Sequence, residues 1–181
     1  MTDDRKTLLQ AVGIGALVFT VVMAFGGPRL MGGDGTSSPL VGHAAPELTA
    51  DVVAGEGTGD RVSLSEQRGH VVMLDFWASW CPPCRESIPI LGRVAARHPE
   101  LRAYAVNVEA DQTSARVEAA ARALHVMMPT LHDRAYQAGE SFGVEALPTL
   151  MLVDREGIVR RVETGVPDEA QLDAWITELT R

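Results

Sequence analysis

The chain has 181 residues, 24 acidic and 16 basic, for a formal net charge of -8. Residues 1–39 balance, with Asp3, Asp4 and Asp34 against Arg5, Lys6 and Arg29, so the whole net charge falls on the remainder, which contains no lysine. That argues against nucleic-acid binding, where a basic face is expected, and the length left after a leader of about 40 residues suits one domain with one core.

At the start of the chain, Arg5 and Lys6 precede a run from Leu8 to Phe25 that is apolar or small except for Gln10 and Thr20. At about 1.5 Å per residue the run rises about 27 Å, marginally enough for a bilayer core, and the basic residues ahead of it favour a cytoplasmic N-terminus. Residues 1–27 therefore read as a membrane anchor that holds the domain outside the cytoplasm. A cleaved signal peptide, giving a secreted soluble domain, is the competing reading, because Val22-Met23-Ala24 or Ala24-Phe25-Gly26 satisfies a small-residue cleavage rule. No cysteine follows the run, so a lipoprotein anchor is not expected. Residues 28–45, rich in Gly, Ser and Pro, read as a flexible tether, with the domain at 46–181.

Val52-Val53 and Val62-Ser63-Leu64 predict a leading hairpin across the glycines at 55–59. Residues 71–77 are almost continuously apolar, as in a central strand covered on both faces, and Asp75 interrupts them. After Cys84, Ile88, Leu91 and Ala95 recur at helical spacing, with Pro89 expected to kink the helix and His98-Pro99 to end it. A second strand is expected at 101–108 and an Ala-rich helix at 111–124, with Val117, Ala121 and Leu124 on one face. Strands at 149–153 and 158–163 flank an Asp154-Arg155-Glu156-Gly157 turn. Leu172, Trp175, Ile176 and Leu179 mark a final amphipathic helix, with Asp168 and Gln171 as a capping box. The order βαβ then ββα defines an α/β fold.

The chemistry lies in Phe76-Trp77-Ala78-Ser79-Trp80-Cys81-Pro82-Pro83-Cys84, which holds both cysteines of the chain. Two thiols separated by two residues at a helix start can close a disulfide, and the first sulfur sits where unpaired N–H groups and the helix dipole favour a thiolate. A zinc site would need a second pair of ligands at short spacing, whereas His43, His70, His98, His125 and His132 are scattered. Met127, Met128 and Met151 are soft copper ligands in principle and core gap-fillers by default. A reversible dithiol is the leading reading, with a structural disulfide or a metal site as the alternatives.

Asp75-Phe76-Trp77-Ala78-x-Trp80-Cys81-x-Pro83-Cys84, with Pro89 five residues on, resembles the thioredoxin active-site segment. Phe142-Gly143-Val144-x-Ala146-Leu147-Pro148-Thr149 resembles the loop that carries the cis-proline of thioredoxins. With the anchor-like start and the Val62–Gly69 stretch, the chain is similar to the TlpA-like membrane-anchored thioredoxin-fold thiol-disulfide oxidoreductases. The resemblance implies a thioredoxin fold, a central mixed β-sheet flanked by helices, with an N-terminal β-hairpin extension. It also implies no cofactor beyond the redox-active disulfide Cys81–Cys84.

Cys81 would be the nucleophile and Cys84 the resolving thiol. Asp75, at the position of the buried carboxylate of thioredoxins, would accept the Cys84 proton. Relatives often carry Glu three residues after the second cysteine, but here that position is Ser87, and Glu86, one residue earlier, is rotated by about 100° on a helix. The lysine that neighbours the carboxylate in thioredoxins aligns with Ala105. Leu147, Pro148 and Thr149 would dock an extended substrate chain, with the Leu147 backbone pairing to it and Trp80 touching it.

Pro82 and Pro83 have no N–H to offer the Cys81 thiolate, which argues for a reductant with a potential of about -200 to -270 mV. Such a protein would be kept reduced by a membrane thiol donor. Its clients, by resemblance, would be apocytochrome c or the cysteines of a metal site under assembly. The alternative from a different class is a copper-delivery module that uses Cys81 and Cys84 as ligands.

Overall fold

The computed structural model describes residues 38–181. The anchor or signal segment at 1–27 and the tether up to residue 37 lie outside the described residues. Among the described residues no helix is long and apolar enough to cross a membrane.

The chain begins packing before Pro46. Gly42 N–H donates to the Val159 carbonyl at 2.8 Å, Val159 N–H to the His43 carbonyl at 2.9 Å, and Ala45 N–H to the Gly157 carbonyl at 2.9 Å. Leu40, Val41 and Ala45 lie against an apolar cluster, so residues 40–45, read as tether from their small-residue content, belong to the domain edge.

Seven strands form one mixed sheet in the order β2-β1-β5-β4-β3-β6-β7. The hairpin of β1 (Thr49–Ala54) and β2 (Arg61–Ser63) is antiparallel, with Ala50 opposite Val62. At the centre, β3 (Val72–Trp77) runs parallel to β4 (Arg102–Asn107), which runs parallel to β5 (Thr130–His132). On the other side β3 pairs antiparallel with β6 (Thr149–Val153), and β6 with β7 (Val159–Thr164).

Among the described residues three α-helices connect these strands, α1 (Pro82–Arg97), α2 (Ser114–Ala123) and α3 (Gln137–Ser141), and α4 (Glu169–Thr180) follows β7. Each of the longer three starts where a side chain accepts an otherwise unpaired N–H: Cys81 from Cys84, Thr113 from Arg116, and Asp168 from Gln171. The Thr113 cap sets the start of α2 at 114 instead of 111. Helix α1 runs through Pro89, whose missing N–H leaves the Arg85 carbonyl without its helical donor.

Every residue of β3 is buried, because both faces of the sheet are covered. Val71, Met73 and Trp77 pack with Cys81, Cys84, Ile88 and Leu91 of the α1 region and with Leu172 and Ile176 of α4. Val72, Leu74 and Phe76 pack on the opposite face with Phe142 and Val144 near α3. The alternation of side chains along a strand produces this division. It places Asp75, between Leu74 and Phe76, on the face of the two cysteines.

Strand β5 and helix α3 were not expected from the sequence. The hairpin reaches the parallel strands only through β5, with Val52 opposite Leu131.

Candidate active site

The cysteines form a disulfide with S–S 2.09 Å and Cα–Cα 5.3 Å. Cys81 caps α1, and its Sγ lies 3.2 Å from the Cys84 N–H. Pro82 and Pro83 occupy the first two helical positions, where a missing N–H costs the helix nothing. The Cys84 amide is thus the first backbone donor the helix can offer the sulfur.

In this oxidised form Cys81 is 2% exposed and Cys84 fully buried. Trp80, beside it, is 67% exposed, whereas Trp77 is a core side chain packed with both cysteines. Trp80 therefore stands mostly in solvent next to Cys81 in the chain.

Asp75 is completely buried, and neither carboxyl oxygen has a hydrogen-bond partner among the described residues. It stands in register with Ala105 on β4 and Leu150 on β6, so both strand neighbours are apolar. Burial pushes its pKa from the ordinary 3.8 up to about 7, because an ionised carboxylate in an apolar site loses its hydration. Glu86 is exposed on α1, and Ser87 is buried, its hydroxyl donating to the Cys84 carbonyl at 3.1 Å.

The Leu147–Pro148 peptide is cis. Leu147 packs against the cluster that contains both cysteines. Its N–H and carbonyl make no backbone hydrogen bond among the described residues. Thr149 is buried and donates its hydroxyl to the Ala146 carbonyl at 2.7 Å. Its side chain therefore braces the loop, while Leu147 keeps free backbone groups.

One contributor was missed in the sequence. Glu109, just past β4, accepts from the Ser79 N–H at 2.7 Å, the Ser79 hydroxyl at 2.9 Å and Asn107 Nδ2 at 2.9 Å. No motif announces it; the one hint is a carboxylate two residues after Asn107 at the end of an apolar strand.

Met127, Met128 and Met151 do not gather into a site. Met128 and Met151 lie in the cores on opposite faces of the sheet, and Met127, expected to fill the core, is 76% exposed. Among the described residues no group of three or more His, Cys, Asp or Glu is placed to hold a metal.

The Redoxin family model matches residues 40–176. Thiol-disulfide oxidoreductase ResA of Bacillus thuringiensis strain Al Hakam is 25% identical over 175 residues, covering 97% of this chain and 95% of that protein. A Chlorobium tepidum thiol:disulfide interchange protein provisionally named DsbE has a crystal structure that superposes with a TM-score of 0.67. It is 30% identical and covers 76% of this chain and 96% of its own. The exposed lipoprotein thioredoxin Etrx1 of Streptococcus pneumoniae superposes with a TM-score of 0.65 at 25% identity, covering 74% of this chain and all of its own. This chain belongs to the Redoxin family and is a thiol-disulfide oxidoreductase of the thioredoxin type.

Proposed function

We propose that the protein reduces disulfides in other proteins on the extracytoplasmic side of a bacterial membrane. The observation that carries this reading is the capping of α1 by Cys81 with Pro82 and Pro83 behind it. A thiolate at a helix start is stabilised by each N–H aimed at it, and the more it is stabilised the more oxidising the pair becomes. Two prolines remove two such donors, so the dithiol form gives up its electrons more readily.

In the forward reaction the Cys81 thiolate attacks one sulfur of a substrate disulfide. The substrate S–S bond breaks as a Cys81–substrate bond forms, and the freed substrate sulfur takes up a proton. Cys84 gives its proton to the Asp75 carboxylate, and its sulfur attacks Cys81 Sγ. The Cys81–Cys84 bond forms, and the second substrate sulfur leaves and is protonated. Substrate gains two electrons and two protons, and a thiol donor at the membrane restores the dithiol. An acceptor with a pKa near 7 is suited to this step, since it is basic enough to take the proton and about half ionised in neutral solution.

Leu147 supplies the free backbone groups that an extended substrate chain would pair with, and Trp80 the exposed aromatic surface beside the reacting sulfur. The extracytoplasmic location rests on the apolar run at 8–25 and agrees with the exposed lipoprotein among the relatives. Apocytochrome c and metal-site cysteines are the client classes we favour, because both must be reduced in an oxidising compartment before they bind haem or metal.

The test is dithiothreitol-driven reduction of insulin by the full-length protein. The parent turns over, Cys81→Ser is inactive, and Cys84→Ser accumulates a mixed disulfide through Cys81. A protein that leaves insulin intact but oxidises a reduced, unfolded protein contradicts the reading.

A further inference from the structure

Ser79 is held at every polar group. Its N–H and hydroxyl donate to the two oxygens of Glu109, at 2.7 and 2.9 Å, and its carbonyl accepts from Arg85 at 3.2 Å. Glu109 is itself fixed from behind. Its N–H donates to Asn107 Oδ1 at 3.1 Å, Asn107 Nδ2 donates to its carboxylate, and its carbonyl lies 3.1 Å from His132 Nε2. His132 is seated in turn by the Ser114 hydroxyl, 3.1 Å from Nδ1. Strands β4 and β5 and the start of α2 thereby converge on one residue of the turn between β3 and α1.

Ser79 immediately precedes Trp80 and stands two residues before Cys81. A buried carboxylate, 7% exposed and accepting three hydrogen bonds, is a costly way to close a loop unless the loop position matters. The side chain it steers is the most exposed aromatic group beside the dithiol. Trp80 is mostly in solvent, so the backbone that Glu109 holds is what sets where its side chain starts from.

We propose that Glu109 is a positioning residue for substrate docking: through Ser79 it fixes the turn that presents Trp80 and Cys81 to a substrate chain. This rests on the reading of the protein as a reductant of protein disulfides, and it adds the element that sets affinity for the chain carrying the disulfide. Glu109 touches neither sulfur nor substrate. Its loss should therefore raise KM for a protein substrate and leave the thiol chemistry of the dithiol intact.

The experiment compares Glu109→Ala and Glu109→Gln with the parent, all as the full-length chain. Two substrates are used, insulin and glutathione disulfide. Glutamine keeps one oxygen toward the Ser79 N–H and Asn107 Nδ2 and turns its amide to the Ser79 hydroxyl, which can accept as well as donate. The expected result is a rise of about ten-fold in KM for insulin in Glu109→Ala, the scale of losing one or two charge-assisted hydrogen bonds. Glu109→Gln stays within about two-fold of the parent on the same grounds, and the rate with glutathione disulfide is unchanged in both.

A parent-like KM in Glu109→Ala overturns the proposal, and so does a Glu109→Gln variant as impaired as Glu109→Ala, which would assign the effect to charge. If Glu109→Ala does not fold, Ser79→Ala carries the test. It keeps the backbone bond and removes the hydroxyl bond, and is expected to raise KM about three-fold, whereas a parent KM in that variant overturns the proposal.

Amide hydrogen exchange separates this proposal from the reading beneath it. Should the parent exchange with glutathione but never reduce insulin, the functional reading fails. Faster exchange at Ser79 and Trp80 in Glu109→Ala, restored in Glu109→Gln, then supports the clamp, and unchanged exchange overturns it.

Discussion

Asp75 and Ala105 stand in register across the parallel pair β3 and β4, so the buried carboxyl has no charged neighbour on that strand. A methyl group stands where a cation would stabilise the carboxylate, so burial acts on Asp75 without opposition and carries its pKa to about 7.

In the mechanism we propose, Asp75→Asn removes the proton acceptor for Cys84. Release of substrate from the mixed disulfide should slow by about 10²-fold, the scale of losing a general base, with the first attack by Cys81 unchanged. Stopped-flow reduction of a disulfide peptide separates the two phases. Equal second phases in parent and variant would remove Asp75 from the mechanism.

The same step has a pH signature. Protonated Asp75 cannot accept a proton, so the rate of resolution should rise through an inflection near pH 7 and level off above it. A profile that is flat from pH 5 to pH 8, or one that follows only the thiol, contradicts the assignment.

Stability should run the opposite way with pH. The folded pKa of Asp75 lies above its unfolded value, so the folded state holds a proton that the unfolded state has lost between about pH 4 and pH 7. The contribution is most favourable below pH 4, declines as pH rises through that window, and stays low above it. The interval from 3.8 to about 7 corresponds to roughly 4 kcal/mol at most. Denaturant unfolding of the oxidised protein at pH 4.5 and pH 8 should show a decline attributable to this group that Asp75→Asn lacks.

Pro83→Ala returns an N–H at the second helical position, where it can reach the Cys81 sulfur. One charge-assisted bond to the thiolate should raise the reduction potential by about 30–60 mV and lower the pKa of the Cys81 thiol. Redox titration of the variant against the parent measures both. An unchanged potential would separate the prolines from the redox poise.

Trp80→Ala tests the docking surface. The side chain is mostly in water, so unfolding temperature should move by no more than about 2 °C, while KM for insulin rises about ten-fold, the effect of removing an exposed aromatic anchor. The rate with glutathione disulfide should not change.

Much of the fold could be read from the sequence because its signals are strong and local. The unbroken apolar run of β3 announced a doubly covered strand, the spacing of Ile88, Leu91 and Ala95 announced α1, and Asp168 marked the start of α4. Strand β5 escaped because three residues, Thr130–His132, are too few to show an alternation. Helix α3 escaped because Gln137–Ser141 is barely a turn and a half, and its Gly139 is needed where a Cβ would fall 2.4 Å from the Tyr136 ring.

Among the site residues, Cys81, Cys84, Asp75 and the Leu147–Thr149 loop lie within recognisable runs, and their positions follow from those runs. Glu109 does not. It reaches Ser79 across thirty positions of sequence, and only the parallel alignment of β3 with β4 brings the two strand ends together.

The most direct test of the account is the reduction potential of the full-length protein, equilibrated in glutathione and dithiothreitol buffers at pH 7 with Cys81→Ser and Cys84→Ser as controls. The account predicts a reversible two-electron couple at about -200 to -270 mV, and a couple near about -120 mV, the range of strong oxidants, would contradict it.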